Sequence, residues 1–188
     1  MNHFVYFSKT TLDQSPLQIL TSLILLLLFT TSSLTAGNYT WNGTTNSDWA
    51  NSSNWSPSGI PNSNDTITIN SGKPNLELDQ DRTVNRLIQY GSTIDLDTNE
   101  LHVTQRASFN GGDVIGASLK LRGTYAYFQG TDFNCTLDVI VGQIKFSGGT
   151  FDQNGSFEQN GSASGWGDGG CVFNAEETIK NSGTAYLR

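Results

Sequence analysis

Beyond residue 36, apolar residues recur at every second position and Gly or Asn interrupts the runs every few residues. This is the pattern of short, half-buried strands and not of helices. The alternation predicts strands at Thr66–Ile69, Leu76–Leu78, Val84–Gln89, Thr93–Leu96, Leu101–Thr104, Ser118–Leu121, Tyr125–Phe128, Thr136–Val141, Gln143–Phe146, Ser156–Glu158, Cys171–Phe173, Glu177–Ile179 and Ala185–Leu187. Their starts lie roughly 6 to 10 residues apart, closer to three strands per solenoid coil than to a sandwich of longer strands. Asn-Gly or Asp-Gly between long alternating runs, the strongest mark of an antiparallel hairpin, is largely missing. The expected fold is all-β, a right-handed parallel β-helix from about residue 66 onward.

Internal similarity points the same way. Phe151-Asp152-Gln153-Asn154-Gly155-Ser156 is followed at once by Phe157-Glu158-Gln159-Asn160-Gly161-Ser162. Looser echoes are Phe109-Asn110-Gly111-Gly112, Phe146-Ser147-Gly148-Gly149 and Gly169-Gly170-Cys171-Val172-Phe173-Asn174. Each pairs an aromatic residue with a tight Gly or Asn turn, so the aromatic is expected to point inward and stack on its counterpart one coil away. Compositional bias towards Gly and Asn can also produce such echoes.

Three of the four tryptophans, Trp41, Trp49 and Trp55, fall within 15 residues in a loop-rich stretch. Either they pack into a cap, residues 37–65, that closes the open end of a solenoid, or they form an aromatic platform for sugar. The order Trp41-Asn42-Gly43, Asp48-Trp49, Asn54-Trp55-Ser56, Pro61 and Asp65-Thr66-Ile67-Thr68-Ile69 continues into Val84-Asn85-Arg86-Leu87-Ile88, Gly91 to Leu96 and Glu100 to Val103. This order resembles the N-terminal region of large secreted surface proteins of Bacteroidetes-type bacteria, adhesin-like β-helix proteins. Gly169 to Gly183 is similar to the repeats inside the same proteins. The resemblance implies a β-helix on the cell surface, with adhesion or scaffolding as its work and a sugar-binding module or polysaccharide-active enzyme as the alternative. Such proteins are usually far longer, and Leu187-Arg188 falls in the middle of an expected strand, so the chain is read as a fragment with coils over residues 66–188. An open C-terminal edge there is expected to self-associate.

The first 36 residues change the compartment. No charged side chain lies between Asp13 and Asp48, and Ile19 to Phe29 has the length of the apolar region of a signal peptide. Small residues from Thr31 to Ala36 place cleavage after Ala36, while retention as an uncleaved anchor is the competing reading. Both readings put the remainder outside the cytoplasm. The formal net charge is −7, and no Lys/Arg cluster stands along the chain, so nucleic acid and anionic lipid are excluded as expected partners. Surface polysaccharide or another cell-surface protein remains, and membrane contact is confined to the leader.

Candidate chemistry is sparse. Asp95 and Asp97 alternate along one expected strand and Asp79 and Asp81 sit in a turn, more in keeping with solvated faces than with the paired carboxylates of a glycosidase. His3 lies in the leader, which leaves His102 as the single histidine for any metal site or triad and favours a surface role. No catalytic, cofactor or metal residue is assigned. Ser164 to Gly170 has the glycines of a calcium loop but one carboxylate, Asp168, where Ca²⁺ takes six to eight oxygens. Trp166, held among glycines, is the one ligand-binding candidate, for sugar contact. Cys135 and Cys171 permit one disulfide in an exported chain or two half-buried thiols. The Asn-x-Ser/Thr triplets at Asn38, Asn42, Asn51, Asn54, Asn64, Asn134, Asn154 and Asn160 are attributed to composition.

Overall fold

The structure, a computed structural model, describes residues 35–162, 166–167 and 170–184. The chain divides at Thr35–Ala36 into two units. The described residues belong to the second unit, apart from Thr35, so the expected leader lies outside them except for its last two residues. Among the described residues no helix is long and apolar enough to cross a membrane.

The strands are β1 (Asn38–Trp41), β2 (Trp55–Ser56), β3 (Thr66–Ile69), β4 (Leu76–Glu77), β5 (Arg82–Gln89), β6 (Thr93–Asp95) and β7 (Glu100–Phe109). They continue as β8 (Gly112–Phe128), β9 (Thr131–Phe146), β10 (Gly149–Phe151), β11 (Gly155–Gln159), β12 (Trp166–Gly167), β13 (Cys171–Phe173) and β14 (Glu177–Asn181). One 3₁₀ turn, Ser52–Asn54, precedes β2. The all-β expectation holds, and the strands wind into a parallel β-solenoid of about six turns. β2 is the exception, pairing antiparallel with β1 at the end of the sheet.

Three faces repeat in each coil. Face A stacks β1, β3 and the last four residues of β5, β7, β8 and β9, in the register Thr66–Arg86–Arg106–Tyr125–Gln143. Face B stacks β4, β6, the first residues of β8 and β9, β10 and β13. Face C stacks the first residues of β5 and β7, the middle of β8 and β9, β11 and β14. The steps from Arg86 to Arg106, Tyr125 and Gln143 are 20, 19 and 18 residues, so residues remote in sequence become neighbours one rung, about 4.8 Å, apart.

Inward positions of the three faces meet in one core. Phe109, Phe128 and Phe146 stack in successive coils of face A, with ring centroids 5.6 and 5.3 Å apart. Phe133, Phe151 and Phe173 do the same on face B at 5.1 and 4.8 Å. The stacking expected of the aromatic echoes is therefore present, but the six-residue tandem is not two coils. Phe151 and Phe157 lie on adjacent faces of one coil, with rings 5.7 Å apart and perpendicular. At the corner between faces A and B the backbone must turn left-handed. Gly112 (φ +82°) and Gly149 (φ +109°) supply that conformation, and a Cβ on either would press a backbone carbonyl of the neighbouring coil at 2.2 and 2.3 Å.

Trp41, Trp49 and Trp55 are all buried and meet edge to face at 5.0 Å. Trp55 donates its ring N–H to the Trp49 carbonyl, and Trp41 donates to that of Pro74. The buried Asn54 amide ties the loop together, accepting from the Thr45 N–H and donating to Asn46 Oδ1 and the Asp48 carbonyl. Burial of all three indoles rules out the sugar-platform alternative and explains the density of Trp by packing. Asp65, also buried, accepts from the Gly37 and Asn62 N–H groups.

Cys135 and Cys171 are not bridged to each other in this structure. Cys171 stacks on Gly149 and Thr131, whereas Cys135 lies four residues beyond Thr131 along β9. Two rungs separate their levels, about 9.5 Å, beyond the reach of a bridge. Burial pushes the Cys135 thiol to about 12.

Candidate functional site

The strands of face A alternate strictly. In Arg86-Leu87-Ile88-Gln89, Arg106-Ala107-Ser108-Phe109, Tyr125-Ala126-Tyr127-Phe128 and Gln143-Ile144-Lys145-Phe146, the second and fourth residues point into the core. The first and third therefore stand on the outside in two parallel rows, Arg86–Arg106–Tyr125–Gln143 and Ile88–Ser108–Tyr127–Lys145. Neither row contains a carboxylate.

These side chains form a connected strip. The Arg106 guanidinium lies 4.7 Å from the Tyr125 ring centroid, the Tyr125 and Tyr127 centroids are 6.3 Å apart, and the Lys145 ammonium sits 4.6 Å from Tyr127. Partial burial raises the Tyr125 pKa above its usual value, with the Arg106 charge opposing it. Beside Arg106 a groove of about 430 Å³ opens between Arg86, Ile88, Tyr90, Arg106 and Ser108. Tyr90 is 53% exposed at its rim.

The charges of face A contrast with those elsewhere. Arg82 pairs with Asp79, Lys120 with Glu100, Arg122 with Asp138 and Lys180 with Glu158. Among the described residues neither Arg86 nor Arg106 has such a carboxylate partner. Chemically the strip offers two guanidinium forks without a carboxylate partner among the described residues, an ammonium and two half-buried aromatic rings, with Tyr90 exposed beside them. It offers no nucleophile with an adjacent base, and no group of three His, Cys, Asp or Glu that could hold a metal ion occurs among the described residues.

Other residues singled out in the sequence are dispersed. Asp79 holds Arg82, and Asp81 accepts the Glu100 N–H. Asp97 is not in the strand with Asp95. β6 ends at Asp95, whose carboxylate accepts the Asp97 N–H, and Asp97 takes a left-handed turn conformation (φ +49°). His102 is half-buried on face C between Thr83 and Lys120, its pKa lowered by burial and then by the Lys120 charge. Trp166 extends face A by backbone pairing opposite Lys145, and its side chain lies outside the described residues, as does most of the Ser164–Gly170 loop.

Sequence reasoning missed Arg86, Arg106, Tyr125, Tyr127 and Lys145 as a group. They are 18 to 20 residues apart along each row, and no local motif joins them. The signal that finds them is the inward column Leu87–Ala107–Ala126–Ile144: aligning the chain on it brings the preceding and following residues into register. No family model matches this chain, and no similar curated protein or solved structure was found.

Proposed function

We propose that this chain is a non-catalytic adhesin or scaffold, exported and either displayed at the cell surface or secreted, which works by presenting the long outer faces of its coils. The observation that carries this reading is the segregation of side-chain character. Face A is basic and aromatic, and the strand segments on it hold no Asp or Glu. Face B is acidic, with Glu77, Asp95, Asp113 and Asp132, and the strand segments on it hold no Lys or Arg. Face C pairs its own charges through Glu100–Lys120, Arg122–Asp138 and Glu158–Lys180. Repeating rungs of one character suit many weak contacts in register, which multiply into firm attachment.

The coils are taken as right-handed, the hand that parallel crossovers adopt, and residues 37–65 as the cap, since β2 closes the sheet path. Export rests on the leader composition, and kinship with Bacteroidetes-type adhesins rests on the order of residues given above. Two measurements on cells producing the full chain test the reading. The extracellular protein is expected to begin at Gly37, and it is expected to be retained by polysaccharide-coated surfaces without releasing reducing ends or unsaturated products. Product release would replace the adhesin with an enzyme, and an intact chain confined to the cytoplasm would end the export reading.

A further inference from the structure

We infer that face A binds an acidic polysaccharide along the coil axis, with Arg86 and Arg106 holding its carboxylates and Tyr90 and Tyr127 taking its sugar rings. This deepens the binding reading above and rests on it.

Four observations converge. Arg86 and Arg106 occupy adjacent rungs and lack ionic partners among the described residues, while Arg82, Lys120, Arg122 and Lys180 are all neutralised. An exposed Arg in an acidic protein normally finds a carboxylate, and its planar fork is shaped to take one in two parallel hydrogen bonds. The groove of about 430 Å³ lies between those two side chains, so a chain lying in it would meet both. The strip of Arg106, Tyr125, Tyr127 and Lys145, drawn from both rows, continues the path past the groove for two more coils. Arg106 lies over the Tyr125 ring and Lys145 over the Tyr127 ring, so each half-buried aromatic carries a cation that attracts an anion beside it, while Tyr90 is exposed at the groove rim.

The spacing selects the ligand. Rungs recur about every 4.8 Å, comparable with the length of one pyranose unit, so successive sugars of a linear chain would meet successive coils. An extended peptide repeats at about 3.4 Å and drifts out of step with the rungs. Duplex DNA carries one charge per about 1.7 Å, far denser than three cations spread over four coils. The acidic face B would also repel a polyanion too broad to stay on face A, since the whole chain carries −7.

The test uses the extracellular product of the full chain and three probes, polygalacturonate, neutral dextran and single-stranded DNA, in affinity electrophoresis at two salt concentrations. Polygalacturonate is expected to retard the protein, less so at high salt, whereas dextran and DNA do not. The double variant Arg86→Gln/Arg106→Gln is expected to weaken polygalacturonate binding about tenfold or more, the loss of charge-assisted bonds. Lys120→Gln/Lys180→Gln, an equal change of charge on face C, is expected to leave it within about twofold, since exposed paired lysines contribute little. Both pairs are at the surface, and unchanged thermal melting of each variant shows that folding is retained.

No retardation by polygalacturonate overturns the inference, as do equal losses in the two double variants or tighter binding to DNA than to polygalacturonate. If attachment to surfaces persists in the Arg86→Gln/Arg106→Gln protein, face A is not the site while the adhesin reading stands. If sugar products are released, the adhesin reading itself has failed.

Discussion

Faces A and B are built on the same backbone ladder, and their inward residues share one core, yet their outer surfaces are opposites. Face A gathers Arg86, Arg106 and Lys145 with two tyrosines, whereas face B stacks Asp113 directly on Asp132 between Thr93 and Thr150. The two aspartates sit one rung apart, about 4.8 Å, where like charges repel. Their neighbours ease the strain: Thr93 donates its hydroxyl to Asp113 and the Thr150 N–H donates to Asp132. Face B thus supplies neutral donors for its charges from within, whereas among the described residues neither face A arginine has a carboxylate partner and Arg106 has the Tyr125 ring. The difference shows that the coil fixes inward residues by packing and leaves outward ones free to take a character by face.

The strongest way to break both faces together is to remove the core they share. Phe128 contacts Phe109, Phe133, Phe146, Phe151 and Phe157. Phe128→Ala is expected to cost about 3–5 kcal/mol, from lost burial and the cavity left behind, read as a lower midpoint in chemical denaturation. Next comes the corner that joins the faces. Gly112→Ala combines a left-handed backbone with a clash against the Ser92 carbonyl, so a loss of about 2 kcal/mol or more is expected. Substitution at Gly72, left-handed with open space around it, should cost less, and the difference isolates the clash.

A smaller effect sharpens the contrast itself. Asp132→Asn keeps the oxygen that accepts the Thr150 N–H and removes one of two stacked charges, so it is expected to raise stability by about 0.5 kcal/mol, seen as a higher melting temperature. The smallest effect concerns the last described coil of face C. There Glu177 occupies an inward position stacked on Gly155 and fills the space that glycine leaves. Neither carboxylate oxygen has a hydrogen-bond partner of normal geometry among the described residues. Burial raises its pKa above the ordinary 4.5, with the Gly155 N–H acting weakly the other way. The folded state therefore holds its proton more tightly than the unfolded chain, and stability falls as pH rises from about 4.5 through the folded value. Glu177→Gln is expected to flatten that fall, measured by melting temperature between mild acid and neutral pH.

Much of the fold was legible because the buried side of each strand alternates cleanly. Thr66–Ile69 and Cys171–Phe173 coincide with β3 and β13, most other predicted strands fall inside observed ones, and Ala185–Leu187 lies outside the described residues. Of the strands that were missed, β1 and β2 lie in the tryptophan-rich stretch and β12 extends face A, while those starting at Gly112, Thr131 and Gly149 belong to face B. They begin at corners where glycine or a buried Thr takes the first position, so they resemble turns, and the chain then runs on without a break into face C. That continuity makes β8 and β9 17 and 16 residues long. The face A strip was not legible because its partners are a full coil apart, and the absence of a basic cluster along the chain did not carry over into space. Trp41, Trp49 and Trp55 drew attention for the opposite reason, being adjacent in sequence, and proved to be core.

The phenylalanine columns carry one more consequence. Because Phe109, Phe128 and Phe146 present near-parallel rings at nearly equal intervals, a duplicated coil bearing Phe at the same corner would find a matching ring above and below it. Such a molecule can lengthen by copying a segment of about 19 residues, and each copy would add a rung of about 4.8 Å to the outer faces without a new kind of contact. Reach along a polymer and the number of attachment points would then grow together under a single genetic event, while the chemistry of each rung stays open to separate selection.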